Sequence, residues 1–250
     1  VLVFGCCVGP SGKFVTVAEP ALAAVMHPED VLVREQGSDG ICAAYNRVLE
    51  QARGIPDCEG VVLLHDDTEL RPMAREQLLA GLRTPDVGVV GVVGGRGLFG
   101  PQWVDARHRA GCADDFYGRR RYGPEAADVD VVDGLLLAIS PLAFRSLDFD
   151  AAAFPAFHGY DTDFCLQVRR AGHRVRVVPI DYVHRDKGGV GDGEAFGESA
   201  RTLEERWPDS IRPLGPWGRL WRTGRDNGSA WVGRVRHVTM TRLKAVLHRG

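Results

Sequence analysis

The sequence predicts an α/β fold in which a mainly parallel central sheet is flanked by helices, and three observations carry that expectation. Apolar runs of strand length alternate with stretches of helical periodicity through most of the chain. Two of those runs, residues 1–8 and 61–64, are continuously apolar, as strands covered on both faces are. The second run leads straight into His65-Asp66-Asp67, and open α/β sheets bind ligands beyond the carboxyl ends of their strands.

Residues 1–8 (VLVFGCCV) stop at Gly9-Pro10 and read as a buried first strand. Residues 13–27 show mixed periodicity, and 31–33 form a second strand entering the polar loop Glu35-Gln36-Gly37-Ser38-Asp39-Gly40. Within 41–53, Ile41, Ala44, Tyr45, Val48 and Ala52 share a helical face, and Gly54 with Pro56 ends the helix. A third strand at 61–64, a helix at 72–82 and a fourth strand at 87–93 follow. Residues 94–128 break the alternation, being rich in Gly, Arg and aromatics with few periodic apolar positions. They are expected to form a long loop excursion, offering Trp103, Phe116, Tyr117, Tyr122 and Arg119-Arg120-Arg121 as a binding surface. Strand character resumes at 129–139, and Pro141 opens a short helix. Residues 161–170 form a helix with Asp161 and Asp163 in its first turn, Arg169 and Arg170 in its last, and Gly172 beyond it. A late strand at 175–178 leads to Tyr182-Val183-His184.

With 250 residues, 44% hydrophobic and 26% charged, the chain can bury a full core. No run approaches the roughly 18 apolar residues of a membrane span. Residues 1–8 lack the basic start and cleavage site of a secretory signal. Six cysteines without a CxxC pair point to a reducing, cytoplasmic compartment. The net charge of −2 divides unevenly: residues 211–250 carry nine Lys/Arg against Asp226 alone, leaving −10 for residues 1–210. The division predicts a catalytic body, 1–210, and a basic extension, 211–250, that holds Trp217, Trp221 and Trp231. The extension suits packing on the body, a homo-oligomer contact or peripheral membrane contact. Nucleic acid is not expected, because no recognition motif accompanies the charge.

Gly9-Pro10-Ser11-Gly12-Lys13 resembles part of a phosphate-binding P-loop, but Cys7 stands in place of its first Gly and Phe14 in place of its hydroxyl residue. Gly5, Gly9 and Gly12 also miss the dinucleotide fingerprint spacing. The adjacent acids Asp66 and Asp67 repel one another unless a cation offsets them. A Mn²⁺ or Mg²⁺ ion bridging to a diphosphate would do so, while solvated loop acids with Asp67 as a helix cap remain the plainer alternative. Asp161 and Asp163 fit ordinary helix capping first, and a general base held on a rigid helix start as the functional alternative. His184 at a strand end is either a further metal ligand or an ordinary histidine.

The order of these pieces resembles that of family 2-type glycosyltransferases of the GT-A (Rossmann-like) fold. The series runs through Tyr45-Asn46, His65-Asp66-Asp67, Val132-Asp133-Gly134, Phe149-Asp150, Tyr160-Asp161-Thr162-Asp163-Phe164, Gly172 and His184. More narrowly it is similar to the bacterial glycosyltransferase-like group that includes streptomycin-biosynthesis-type proteins. The resemblance covers residues 1–210. It implies that Asp67 is the last acid of a DxD-type metal motif, with His65 in the place of its first Asp, and that His184 is another ligand for Mn²⁺ or Mg²⁺. It also implies that Asp66 lies near the donor's ribose or diphosphate, that Glu35 contacts the nucleotide base, and that Asn46 and Gly134 lie at the donor site. Asp161 would be the catalytic base of an inverting transfer, with Asp163 as its structural companion. The implied partners are a nucleotide-sugar donor and a sugar, peptide or small-molecule acceptor. The chain departs from the pattern at Tyr160 and Gln167, where Glu and Arg are usual, and at Cys6-Cys7. Two rivals stand beside this: a nucleotidyltransferase, kept open by Lys13 after the first strand, and a non-catalytic nucleotide-sugar-binding relative, favoured by the departures.

Overall fold

Leu2, Val3, Phe4 and Cys6 are fully buried, and the strand that carries them runs between two parallel neighbours. In the computed structural model, which describes residues 1–186 and 193–212, this strand is β1 (Leu2–Val8). It is followed by α1 (Glu19–Val25), β2 (Val31–Gln36), α2 (Ile41–Arg53), β3 (Gly60–His65), β4 (Thr68–Leu70), α3 (Ala74–Leu82), β5 (Val87–Gly91), β6 (Val93–Leu98), β7 (Ala106–Asp115) and β8 (Gly118–Arg121). Then come β9 (Ala127–Val129), β10 (Val131–Val132), β11 (Leu136–Ile139), α4 (Pro141–Phe144), α5 (Tyr160–Arg170), β12 (Arg174–Val177), β13 (Tyr182–His184) and α6 (Gly193–Arg206).

The central sheet has the order β2-β1-β3-β11-β5-β12-β9. β1, β2, β3, β5 and β12 share one direction, while β11 and β9 oppose it. The alternation of side chains along each strand feeds two cores. Val3 and Leu63 face α2, α4 and α5 with Tyr45, Phe144 and Phe164; Phe4, Val62 and Leu64 face α1 and α3 with Leu22 and Leu78. Each such buried side chain contributes roughly 1.5–3 kcal/mol, in keeping with the apolar character of residues 2–4 and 61–64. At the start of α2, Gly40 (φ +93°) turns the chain where a Cβ would lie 2.2 Å from the Pro155 carbonyl oxygen.

The loop expected over 94–128 is instead an antiparallel sheet, β10-β6-β7-β8. The buried positions of β7 are small, Ala106, Ala110 and Gly111, and Gly95 of β6 packs where a Cβ would meet that of Ala106 at 2.4 Å. Burial carried by Ala and Gly escapes a search for large apolar residues. β8, with all four residues exposed and three of them Arg, forms a charged edge that resists further pairing.

α6 supplies Leu203 to the core and is followed by Trp207, also buried. The packed chain continues through Ile211, which is fully buried beside Leu98, and Arg212 N–H donates to Leu98 O at 3.0 Å. Residues 213–250, which hold most of the basic extension, lie outside the described residues. Among the described residues no helix is long and apolar enough to cross a membrane.

Candidate active site

β3 delivers His65 to the carboxyl edge of the sheet, and the turn beyond it exposes Asp66 and Asp67 to the cleft. β4 then pairs antiparallel with β13, placing His184 opposite Thr68, while Arg185 N–H donates to Asp67 O at 2.9 Å. That register carries the His184 ring to Asp67: Nε2 lies 3.2 Å from Oδ1. One ligand atom each from His65, Asp67 and His184 fall within 4.8 Å of one another. On the other carboxylate oxygen, Lys13 Nζ donates to Asp67 Oδ2 at 3.2 Å and is also paired with Asp186. Burial works against the Asp67 charge, but His184, His65 and Lys13 outweigh it and hold the carboxyl at about 2. Burial pushes the His65 imidazole down, which favours its neutral, ligating form. His184 is also penalised by burial, and the Asp67 carboxylate raises it nonetheless.

These residues fit a divalent ion. Asp67 Oδ1 is buried and accepts no hydrogen bond, although His184 is within ion-pair distance. A lone pair left open between two imidazoles is the donor arrangement a cation completes. Two nitrogen donors beside one carboxylate shift the set from Mg²⁺ toward transition ions, Mn²⁺ among them. His65, expected only in a supporting place, thus joins the two anticipated ligands.

Because β11 inserts antiparallel beside β3, the segment before it arrives next to His65, whose N–H donates to Leu135 O at 3.1 Å. Asp133 and Gly134 are thereby set against the first turn of α5. Gly134 N–H donates to Asp161 Oδ2 at 2.9 Å, and Thr162 N–H to Asp161 Oδ1 at 2.8 Å. Tyr160 Oη donates to Gly134 O at 3.1 Å and lies 3.0 Å from His65 Nε2, tying helix, turn and strand together. Gly134 is required here, since a Cβ would stand 2.3 Å from Tyr160 Oη. Burial, and then the nearby Asp133 charge, raise the Asp161 carboxyl to about 7 against the two backbone donors.

Two cavities meet at this point. The larger, about 1070 Å³, lies over the ends of β1, β2 and β3 and is lined by Gly9, Gln36, Asp66, Asp67 and His184. The smaller, about 430 Å³, is lined by Asp161 and by α6. His65, Gln102, Trp103, Asp133 and Phe157 line both and form the wall between them. Trp103 Nε1–H donates to Asp133 Oδ2 at 2.6 Å, fixing the indole in that wall. Trp103, Tyr122 and Arg120 of the 94–128 segment reach the larger cavity, whereas Phe116 and Tyr117 are exposed.

Asp66 and Gly134 therefore stand at cavity walls, and Gly9 N–H holds Asp66 Oδ2 at 3.0 Å. Glu35 does not line either cavity: its carboxylate is taken by Arg47 at 2.6 Å, and the neighbouring Gln36 and Gly37 face the cleft instead. Nor does Asn46, whose side chain clamps the Phe149 backbone, donating to O and accepting from N–H, both at 2.8 Å. Asp163 is buried and accepts from Trp207 Nε1–H and Gln167 Nε2–H at 2.7 Å each, with Arg206 at 3.0 Å, so it anchors the end of α6. Phe157 and the α6 residues Phe196, Ala200 and Leu203 were not anticipated from the sequence; the helical spacing of Phe196, Ala200, Leu203 and Trp207 is the signal that marks them.

The profile of the family described as "Glycosyltransferase like family" matches residues 22–186, a span that contains His65, Asp66, Asp67, Asp133, Asp161 and His184. The streptomycin biosynthesis protein StrF of Streptomyces griseus is 29% identical over 221 residues, covering 87% of this chain and 77% of that protein. The structure of GalNAc-T7 with UDP, GalNAc and Mn²⁺ superposes with a TM-score of 0.55 at 11% identity over 84% of this chain, which spans half (50%) of that chain's length. At that identity the likeness concerns the fold, and the fold is the GT-A type of α/β architecture.

Proposed function

The chain belongs to the glycosyltransferase-like family, and from that premise we propose that it moves a sugar from a nucleotide-diphosphate sugar to an acceptor, with inversion at the anomeric carbon. The observation that supports this best is the shared wall, with the His65-Asp67-His184 group opening on one cavity and Asp161 on the other. The larger cavity takes the donor, with Asp66 and the Gly9 turn beside its ribose or diphosphate. The smaller takes the acceptor.

Asp161 acts as general base. It is held by two backbone N–H groups, and its carboxyl, raised to about 7, is a stronger base than an ordinary aspartate while remaining partly ionised near neutrality. The acceptor oxygen bonds to the anomeric carbon as the bond to the diphosphate oxygen breaks. The acceptor's proton goes to Asp161 and the nucleoside diphosphate leaves with the bonding pair. One displacement from the opposite face inverts the configuration. His65, Asp67 and His184 would hold a divalent ion, Mn²⁺ or Mg²⁺, which when bound supplies positive charge against the leaving diphosphate. Tyr160 orients His65 through its hydroxyl, and Trp103 stands between the two cavities.

Incubation of the full chain with UDP-, GDP- and dTDP-sugars, with and without Mn²⁺, tests the proposal. Metal-dependent release of nucleoside diphosphate from one of them is the expected result. Release of sugar 1-phosphate, with the nucleoside monophosphate passing to another acceptor, would instead assign nucleotidyl transfer, and saturable nucleotide binding without release would assign a binding protein.

A further inference from the structure

From the chemistry of the smaller cavity we infer that the acceptor is a compact, amine-bearing, polyhydroxylated ring compound seated between the start of α5 and α6, an inference that rests on the glycosyltransferase assignment. The cavity's volume of about 430 Å³ lies at the low end of the range for small-molecule sites and holds one or two rings. An extended peptide binds along a sheet edge or an open groove, and α6 closes this space on one side. The charged groups at its wall are Asp133 and Asp161; among the described residues that line it there is no Lys or Arg. A phosphorylated or carboxylated acceptor would meet like charge there, whereas an ammonium group is drawn in.

The apolar part of the wall fits the same ligand. His158 lies between Phe157 and Phe196, with ring centroids 6.1 and 5.6 Å away, and Phe157 is 49% exposed. Aromatic faces accept both the C–H side of a sugar-like ring and a cation. A hydroxyl on the seated ring supplies the attacking oxygen, its proton passing to Asp161, as in the transfer described above.

Calorimetric titration of the full chain, with and without UDP and Mn²⁺, using glucosamine, glucose, glucose 6-phosphate and a short Ser/Thr peptide as probes, tests the inference. Glucosamine is expected to bind at least about tenfold more tightly than glucose 6-phosphate, with no heat from the peptide. Ala200→Trp, which fills the cavity, should remove glucosamine binding while UDP still binds, and the half-exposed Phe157→Ala should weaken it about fivefold. The inference is overturned if no ring compound binds, if the phosphate or the peptide matches glucosamine, or if both variants leave its affinity unchanged. Absence of UDP binding alongside intact, cavity-dependent glucosamine binding would instead remove the donor assignment and leave the cavity's preference standing.

Discussion

His184 Nε2 and Asp67 Oδ1 stand 3.2 Å apart without a hydrogen bond between them, although the carboxylate oxygen is buried. Two donors each about 2.0–2.2 Å from one ion sit ~3 Å apart when they are neighbours in its shell. The relationship depends on one strand pairing, β4 with β13, which sets His184 opposite Thr68 and hence beside Asp67.

Loss of either partner should cost metal. Asp67→Ala and His184→Ala are each expected to lower Mn²⁺ affinity by about 10- to 100-fold in direct titration, with circular dichroism unchanged. Mn²⁺ affinity equal to that of the unmodified chain in both variants would remove the ion from this place.

Asp161 sets a pH dependence in two directions. Its carboxyl, ordinarily near 3.8, is raised to about 7 by burial and by Asp133. As a base it works only when ionised, so turnover should climb with pH to a half-maximum near 7 and level off above it. Stability runs the other way. Between about pH 4 and 7 the folded chain keeps a proton that the unfolded chain has released, so stability falls as pH rises through that window. Asp161→Asn removes the buried charge and should raise stability at pH 8 by about 1–3 kcal/mol in urea unfolding.

Asn46 offers a contrast between holding structure and touching substrate. Its two 2.8 Å hydrogen bonds tie α2 to the Phe149 backbone. Asn46→Ala should therefore cost about 1–3 kcal/mol of stability, read by urea denaturation, and leave nucleotide affinity as it was. A selective loss of nucleotide affinity at constant stability would return Asn46 to the donor site.

How much of this was legible in the sequence follows from where each interaction lies. The strands at 1–8 and 61–64 are legible because both faces are buried, and the Gly172 end of α5 because its signal is local, whereas the N-terminal cap is Gly159 and no side chain caps that end. Residues 94–128 were not, because the buried positions of β7 are small and do not alternate, and β8 is exposed throughout. The acids and histidines of the site are visible as residue types, and the resemblance assigned Asp67, Asp161 and His184 to positions that the fold sets on the two sides of one wall. It could not show that Glu35 is occupied by Arg47 or that Asn46 faces Phe149, 103 residues away, since such partners are fixed only by packing. Asp163 is a companion of Asp161 in sequence, yet its own work is to receive the Trp207 indole and steady α6.

Gly134 links the two halves of the wall. In Gly134→Ala the new methyl would fall 2.3 Å from Tyr160 Oη and 3.0 Å from Asp161 Cβ, displacing the hydroxyl that bonds His65. The substitution should cost about 1–3 kcal/mol of stability and lower kcat about tenfold or more in the nucleotide-release assay. Unaltered kcat would show that the Tyr160–His65 contact has no part in the reaction.

The most direct test of the account is the behaviour of Asp161→Asn with the donor that the unmodified chain consumes. Turnover, followed as nucleotide release in the presence of acceptor, should fall by about 10²–10⁴. Nucleotide affinity should stay within about twofold, because the side chain opens on the acceptor cavity rather than the donor cavity. Turnover close to that of the unmodified chain, in a folded variant that binds nucleotide normally, would contradict the assignment of Asp161 as the base.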